Sequence, residues 1–260
     1  MNKEEMKSLT LAQLVETTAV STRLQTLLGK DAERFKSTLI TIAGDPLLRR
    51  CDKMTIFSAA ITAAQLGLSI NKQQGMAYIL PYGTQAQFQI GYKGWIQLCL
   101  ATGRYEKINA VTVYEGQLKD FDPLTEDYIF DWKNRKSDKP IGYAAYFKTR
   151  EGFSKILYWT REQCEQHARR YSKGFTRGGG VWSTNFDEMA MKTVLSKALR
   201  TYGVQTETMA LAYASDQAVL KPKGDVEDMQ IVAEYNDNPV TIVETDEQAL
   251  ADIKEEAADE

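Results

Sequence analysis

Residues Gly67–Leu98 read GLSINKQQGMAYILPYGTQAQFQIGYKGWIQL. Gly67 suits the left-handed position that closes a helix, with Leu68 folding back as its apolar partner. Residues 76–90 then predict two strands around a Tyr82-Gly83 turn, because β-formers alternate on either side of a glycine. From Gly91 the spacing changes to that of a helix, closed by Gly103. The stretch thus joins a helical lobe before it to a β-rich region after it, an α+β layout. The stretch is rich in glutamine, tyrosine and glycine, carries Lys72 and Lys93, and holds no Asp, Glu, His or Cys. Polar, aromatic surface without an acid, a base or a nucleophile points to binding rather than covalent chemistry.

Working back toward the N-terminus, residues 9–28 predict one or two helical pieces. DAERFKSTLITIAG predicts a helix with Phe35, Leu39 and Ile42 on one face and Gly44 as its stop. Asp45-Pro46 is expected to restart a helix, and Thr55 to cap the alanine-rich segment after it. Residues 1–68 thus form a helical lobe. Forward from the hairpin, strands are expected at 105–114, 127–133, 140–149 and 153–159, rich in Tyr, Phe, Val and Ile. Thr160 and Gln163 have the spacing of a capping box, and GFTRGGGVWST is expected to be a loop. On the helix of residues 185–202, Met191, Val194, Leu195, Ala198, Leu199 and Tyr202 share the expected core stripe. Lys192, Thr193, Ser196, Lys197 and Arg200 fall opposite them. That second face suits a phosphate backbone, or is simply a solvated basic face.

The net charge of −3 conceals a segregation. Residues 221–260 hold thirteen acids and three bases, a balance of −10, leaving +7 on residues 1–220. Residues 133–177 alone contain twelve bases and four acids, interleaved with eight aromatic residues. Cations for phosphates and flat rings for bases are the mixture used by single-strand binders, although rings alternating inward on a strand are core. KPKGDVEDMQ reads as a linker, and the residues after it as a disordered acidic extension.

Other chemistries are poorly signalled. Neither a phosphate-binding G-x-x-x-x-G-K-[ST] loop nor a dinucleotide fingerprint occurs. His167 is the single histidine, without a second ligand nearby. The acids Glu115, Asp120, Asp122, Glu126 and Asp127 offer a metal-dependent nuclease as an alternative, but FDPLTEDY reads better as a connection between strands. Three widely spaced cysteines argue against a disulfide framework and for a reducing cytoplasm. No apolar run approaches the ~18 residues of a membrane span, and MNKEEMKSLT lacks the apolar core of a signal peptide.

The blocks AAQLGLSINKQQGMAYILPYG…QFQIGYKGWIQLCLATG and VWSTNFDEMAMKTVLSKALRTY closely resemble the RecT family, single-strand annealing recombinases of phages and prophages. The likeness covers about residues 45–205, and in implied core it extends to the Redβ group of annealing proteins. The resemblance implies a helical N-terminal lobe (1–68) and a DNA-binding core (69–205) of β-hairpin, small antiparallel sheet and long helix. A terminal helix and linker (206–224) and a flexible acidic tail (225–260) complete the expected layout. It implies a homo-oligomeric ring or filament that binds single-stranded DNA and pairs complementary strands without ATP or another required cofactor, its Mg2+ dependence open. A passive single-stranded DNA or RNA coat without annealing activity is the alternative. A phage 5′→3′ exonuclease and, through the tail, a host single-strand binding protein are the implied partners, with no membrane. Carried onto this sequence, the resemblance implies DNA contacts from Lys93, Arg104 and Lys107, and from Lys192, Lys197 and Arg200. A looser set is Arg161, Arg169, Arg170, Lys173 and Arg177. Lys72 and Gln74 are further candidates, and Trp182 and Phe186 are either groove supports or buried anchors.

Overall fold

The computed structural model describes residues 3–223 and 230–234. Five helices open the chain: α1 (Lys3–Ser8), α2 (Leu11–Glu16), α3 (Thr18–Leu28), α4 (Ala32–Ala43) and α5 (Lys53–Gln65). Thr10 and Gln13 start α2 with a reciprocal capping box. In α5 every residue from Met54 to Ala64 is buried, so the helix has no polar face to betray its orientation. Alanine and serine let its backbone approach neighbours on all sides. Gly67 closes it with φ +65°, and the amide of Leu68 donates to the Ala63 carbonyl at 2.8 Å, as expected.

Two local expectations fail here. Residues 45–50 form turns and no helix, because the Asp45 carboxylate accepts the Leu47 amide at 2.9 Å and closes an Asx turn. The cap of α5 is Asp52, whose carboxylate accepts the Met54 amide at 2.8 Å. Thr55 lies inside the helix and accepts the Ala86 amide at 2.8 Å, tying α5 to the hairpin.

The hairpin is β1 (Ala77–Tyr82) and β2 (Gln85–Ile90), joined through Gly83 at φ +62°. Next comes α6 (Tyr92–Ala101). Glycine is required at two places around its start. A Cβ on Gly91 would lie 2.2 Å from the Gly75 carbonyl oxygen, and one on Gly94 would lie 2.1 Å from that of Met76. The hairpin entrance and α6 are thereby pinned together.

The second sheet begins with β3 (Tyr105–Tyr114), interrupted by a separate two-stranded ribbon of β4 (Leu118–Asp122) and β5 (Asp127–Phe130). It continues with β6 (Pro140–Thr149) and β7 (Ser154–Thr160), in the order β3-β6-β7. The pairing register puts Ala110 opposite Ala145 and Ile108 opposite Phe147. These residues and Tyr143 form the inner face, on which the long helix lies. Three helices precede it: α7 (Arg161–Tyr171), α8 (Lys173–Thr176) and α9 (Val181–Thr184). The long helix itself is α10 (Phe186–Tyr202), followed by α11 (Glu207–Ser215).

The segment read as a linker instead supplies β8 (Val219–Lys223), and Gln230–Glu234 supplies β9. They extend the hairpin into a sheet ordered β1-β2-β8-β9. Leu220 and Pro222 pair with Ala233 and Ile231, although Pro222 cannot donate to the ladder. The rest of the expected tail, residues 225–229 and 235–260, lies outside the described residues. The fold is otherwise the expected α+β arrangement of helical lobe, hairpin, small antiparallel sheet and long helix.

Candidate nucleic-acid interface

One open group of cations is built on and just after α7. Thr160 and Gln163 form the predicted capping box, each bonded to the other's backbone amide at 2.9 and 3.1 Å. The helix buries Cys164 and Ala168, which fixes its orientation and leaves Arg169 and Arg170 exposed in its last turn. There they also face the negative end of the helix dipole. The Arg169 guanidinium lies 5.8 Å from the Phe175 ring centroid, and that of Arg170 lies 5.4 Å from Tyr171. Arg177 is exposed on the following loop. None of the three is ion-paired among the described residues. Lys173 begins α8, and its side chain lies outside the described residues.

Rings form the support beneath this group. Trp182 is 7% exposed and packs against Phe186 at 5.4 Å, His167 at 6.1 Å and Phe175 at 6.4 Å between centroids. Trp182 is therefore a buried anchor, and His167 is part of the same ring cluster. Phe186 also carries Arg161, whose guanidinium sits 4.6 Å above its ring. Arg161 bonds Glu165 at 3.1 Å and lies 3.6 Å from Asp187. The Tyr143 hydroxyl donates to Asp187, which together with burial pushes that phenol upward. Arg161 thus differs from its neighbours: its charge is committed to clamping α7 onto α10.

A second group lies at one end of the sheet. Arg104 pairs with Glu151 at 2.6 Å and holds that carboxyl below its ordinary value. Lys107 is exposed and stands opposite Lys148 across the β3–β6 ladder. Lys148 pairs with Glu106 at 2.8 Å. A third group surrounds Gly75. Lys93 is exposed on the first turn of α6, and its Cδ would lie 3.5 Å from a Cβ on Gly75. Gln74 is exposed beside it, while Lys72 is ion-paired with Asp45.

The expected basic face of α10 is corrected by the structure. Lys192 is 6% exposed, and desolvation pushes its ammonium below the ordinary value, opposed only by the field of Asp216. Asp216 is itself 4% exposed and accepts the Ile90 amide at 2.8 Å. Thr193 and Ser196 turn their hydroxyls back onto helix carbonyls, at 2.8 and 3.0 Å. Arg200 lies over the Tyr213 ring at 5.1 Å, and Lys197 is half-buried and engaged. Met191 and Tyr202, assigned to the core stripe, are only partly buried. The helix is covered by the β3-β6-β7 sheet on one side and approached by α6 on another, so no broad face of it is open.

Several acids of the ribbon are spent on structure. Asp122 caps a turn, accepting the amides of Leu124 and Thr125 at 2.8 and 3.3 Å. Glu126 pairs with Lys155 and accepts the Tyr202 hydroxyl, which holds its carboxyl below the ordinary range. Among the described residues no group of three His, Cys, Asp or Glu side chains is placed to hold a metal ion. Burial pushes the Cys99 and Cys164 thiols up to about 12. No helix among the described residues is long and apolar enough to cross a membrane.

What the described residues offer is cations on ring-supported scaffolds. Sequence comparison leads to the same place. The chain is 40% identical over 209 residues to the uncharacterized protein YqaK of Bacillus subtilis (strain 168), covering 80% of this chain and 72% of the relative. It is 30% identical over 171 residues to the protein RecT of Escherichia coli (strain K12), covering 62% of each. A sequence model of the RecT family matches residues 33–233, most of the described structure, and the chain belongs to that family, whose members serve DNA recombination by single-strand annealing.

Proposed function

We propose that this protein binds single-stranded DNA along its exposed cations and speeds the pairing of complementary strands without hydrolysing a nucleotide. Family membership supports the reading, and the observation that carries it is the exposed Arg169, Arg170 and Arg177 group on its aromatic support. Backbone contacts hold a strand without reading it, so base edges stay free to test one another. Sequence discrimination then comes from Watson–Crick pairing, and no catalytic group is needed. Assembly into a ring or filament belongs to this reading, since one copy offers too few cations to hold a long strand. So do a cytoplasmic setting, a 5′→3′ exonuclease that exposes the strand, and a single-strand binding protein contacting residues beyond the described ones.

The test mixes complementary fluorescent oligonucleotides with the protein, without nucleotide, with and without Mg2+. Pairing faster than the spontaneous rate, equally for unrelated sequences, is expected. Tight binding without faster pairing would reduce the protein to a passive coat, and cleavage of the labelled strand would restore the nuclease reading.

A further inference from the structure

The ribbon sorts its side chains by face. Asp120, Asp122, Asp127 and Ile129 point one way, as the β4–β5 register requires. On the other face Phe121, Tyr128, Phe130 and Trp132 make a row of rings. Their successive centroids are 4.4, 6.1 and 4.7 Å apart, and their planes lie within 19° of parallel. The ring face does not lie flat on the sheet. Between Tyr128, Phe130 and Trp132 and a floor of Val111, Ala144 and Ile156 runs an open slot of about 670 Å3. Trp132 remains 51% exposed beside it.

At one end of the slot stand Asn109 and Tyr146, paired across β3 and β6. The next pair on the same face is Lys107 and Lys148, the second of which is shared with Glu106 at 2.8 Å. A strand advances about 6.6 Å per two residues, so these ammonium groups lie within phosphate reach of anything seated between the rings and the floor. The ribbon's carboxylates point away from the slot. The slot therefore joins flat apolar walls, one unengaged amide at Asn109 and a cationic end.

We infer that this slot is a nucleobase-stacking site for single-stranded nucleic acid, distinct from the arginine group on α7 and resting on the single-strand-binding reading above. An unpaired base slides against Trp132 and Phe130 while its flanking phosphates meet Lys107 and Lys148. Every base presents a π-face and the ring row offers stacking to any of them, so the site takes any base. A second copy's apolar side chain is the competing occupant. It would have no use for the paired lysines, and it would not explain a ring row with three members facing the slot.

The test compares two oligonucleotides of equal length and charge, one with normal bases and one carrying a run of abasic sites. Trp132→Ala should weaken the normal strand by roughly tenfold. It should leave the abasic strand and the salt dependence of binding unchanged. Trp132→Leu keeps apolar bulk without the broad ring and should show the same selective loss, which guards against a folding defect in the first variant. Equal losses on both strands, or no loss on either, overturn the slot while leaving single-strand binding intact. A change in oligomer size by sedimentation without base discrimination gives the slot to a second copy and also overturns it. Failure of the native protein to bind either strand would overturn the proposed function itself.

Discussion

Two helices of this protein carry similar cations in opposite surroundings. On α7, Arg169 and Arg170 stand in solvent because only one side of the helix, marked by Cys164 and Ala168, meets the fold. On α10, Lys192 occupies a position that a helical wheel assigns to an open face, yet it is buried near Asp216. The wheel reports which residues share a face, and only the layers around the helix decide whether that face is wet. A helix at the surface has one buried stripe. A helix between a sheet and further helices has two, and a lysine in the second is drawn inside. Removing a buried counter-charge and removing an exposed cation should therefore have different consequences.

The largest effect is expected from Asp216→Ala. The change leaves the Ile90 amide without its acceptor and Lys192 without the nearest opposing field. A buried donor stripped of its acceptor and a buried charge stripped of its partner together cost about 3 kcal/mol. Urea unfolding should show a lower midpoint with an unchanged slope. In a Lys192→Met background the same substitution should cost clearly less, because one of the two penalties is gone. Equal costs in both backgrounds would show that the two groups do not feel each other.

On α7 the balance reverses. Replacing Arg169, Arg170 and Arg177 together by alanine should weaken binding of an unselected oligonucleotide about tenfold and flatten its salt dependence by roughly two units, at about 0.7 per lost contact. Stability should move by no more than about 0.5 kcal/mol, as for other surface changes. Binding titrations across a salt series and a urea curve on the same sample check both halves. A stability loss with an unchanged salt slope would place these arginines with Arg161, as clamps.

The contrast also explains which parts of the molecule were legible in the sequence. Local signals held wherever the neighbouring chain decides: the Gly67 stop, the Thr160 capping box, and β3 placed at its full length from its run of Tyr, Ile and Val. They failed where a distant segment decides. β8 exists because β2 offers an edge some 130 residues away, and β9 because β8 then offers another. β4 was missed beside its partner β5 because its acids read as a loop. Among the candidate site residues, Arg169 and Arg170 are exposed because α7 buries only the side marked by Cys164 and Ala168. Lys192 and Arg161 are not open in this way, since a desolvated ammonium and a clamped guanidinium are made by partners from other parts of the chain, whereas Trp182 took the buried-anchor role that was one of its two expected roles. The ring row on the ribbon was legible only in part. The spacing of Tyr128, Phe130 and Trp132 predicted a strand, while its stacking with Phe121 required the hairpin.

The smallest predicted effect is the most direct test of the buried lysine. At neutral pH Lys192→Met should cost less than Asp216→Ala, since it removes an ammonium that burial already penalises and leaves Asp216 without its counter-charge but still bonded to the Ile90 amide. The signature lies in the pH dependence. Desolvation lowers the folded-state pKa of Lys192 from its ordinary 10.5. Between the folded value and 10.5 the unfolded chain holds more protons than the native one, so stability contributed by this group rises with pH through that window. Below the folded value both states are protonated and the burial penalty is present in full. Above 10.5 neither is, and the penalty is gone. Unfolding free energies from about pH 7 to about pH 10 should thus climb more steeply, or fall less steeply, in the native protein than in Lys192→Met. Parallel curves would mean that the ammonium reaches water in solution, and α10 would regain the open basic face that its sequence suggested.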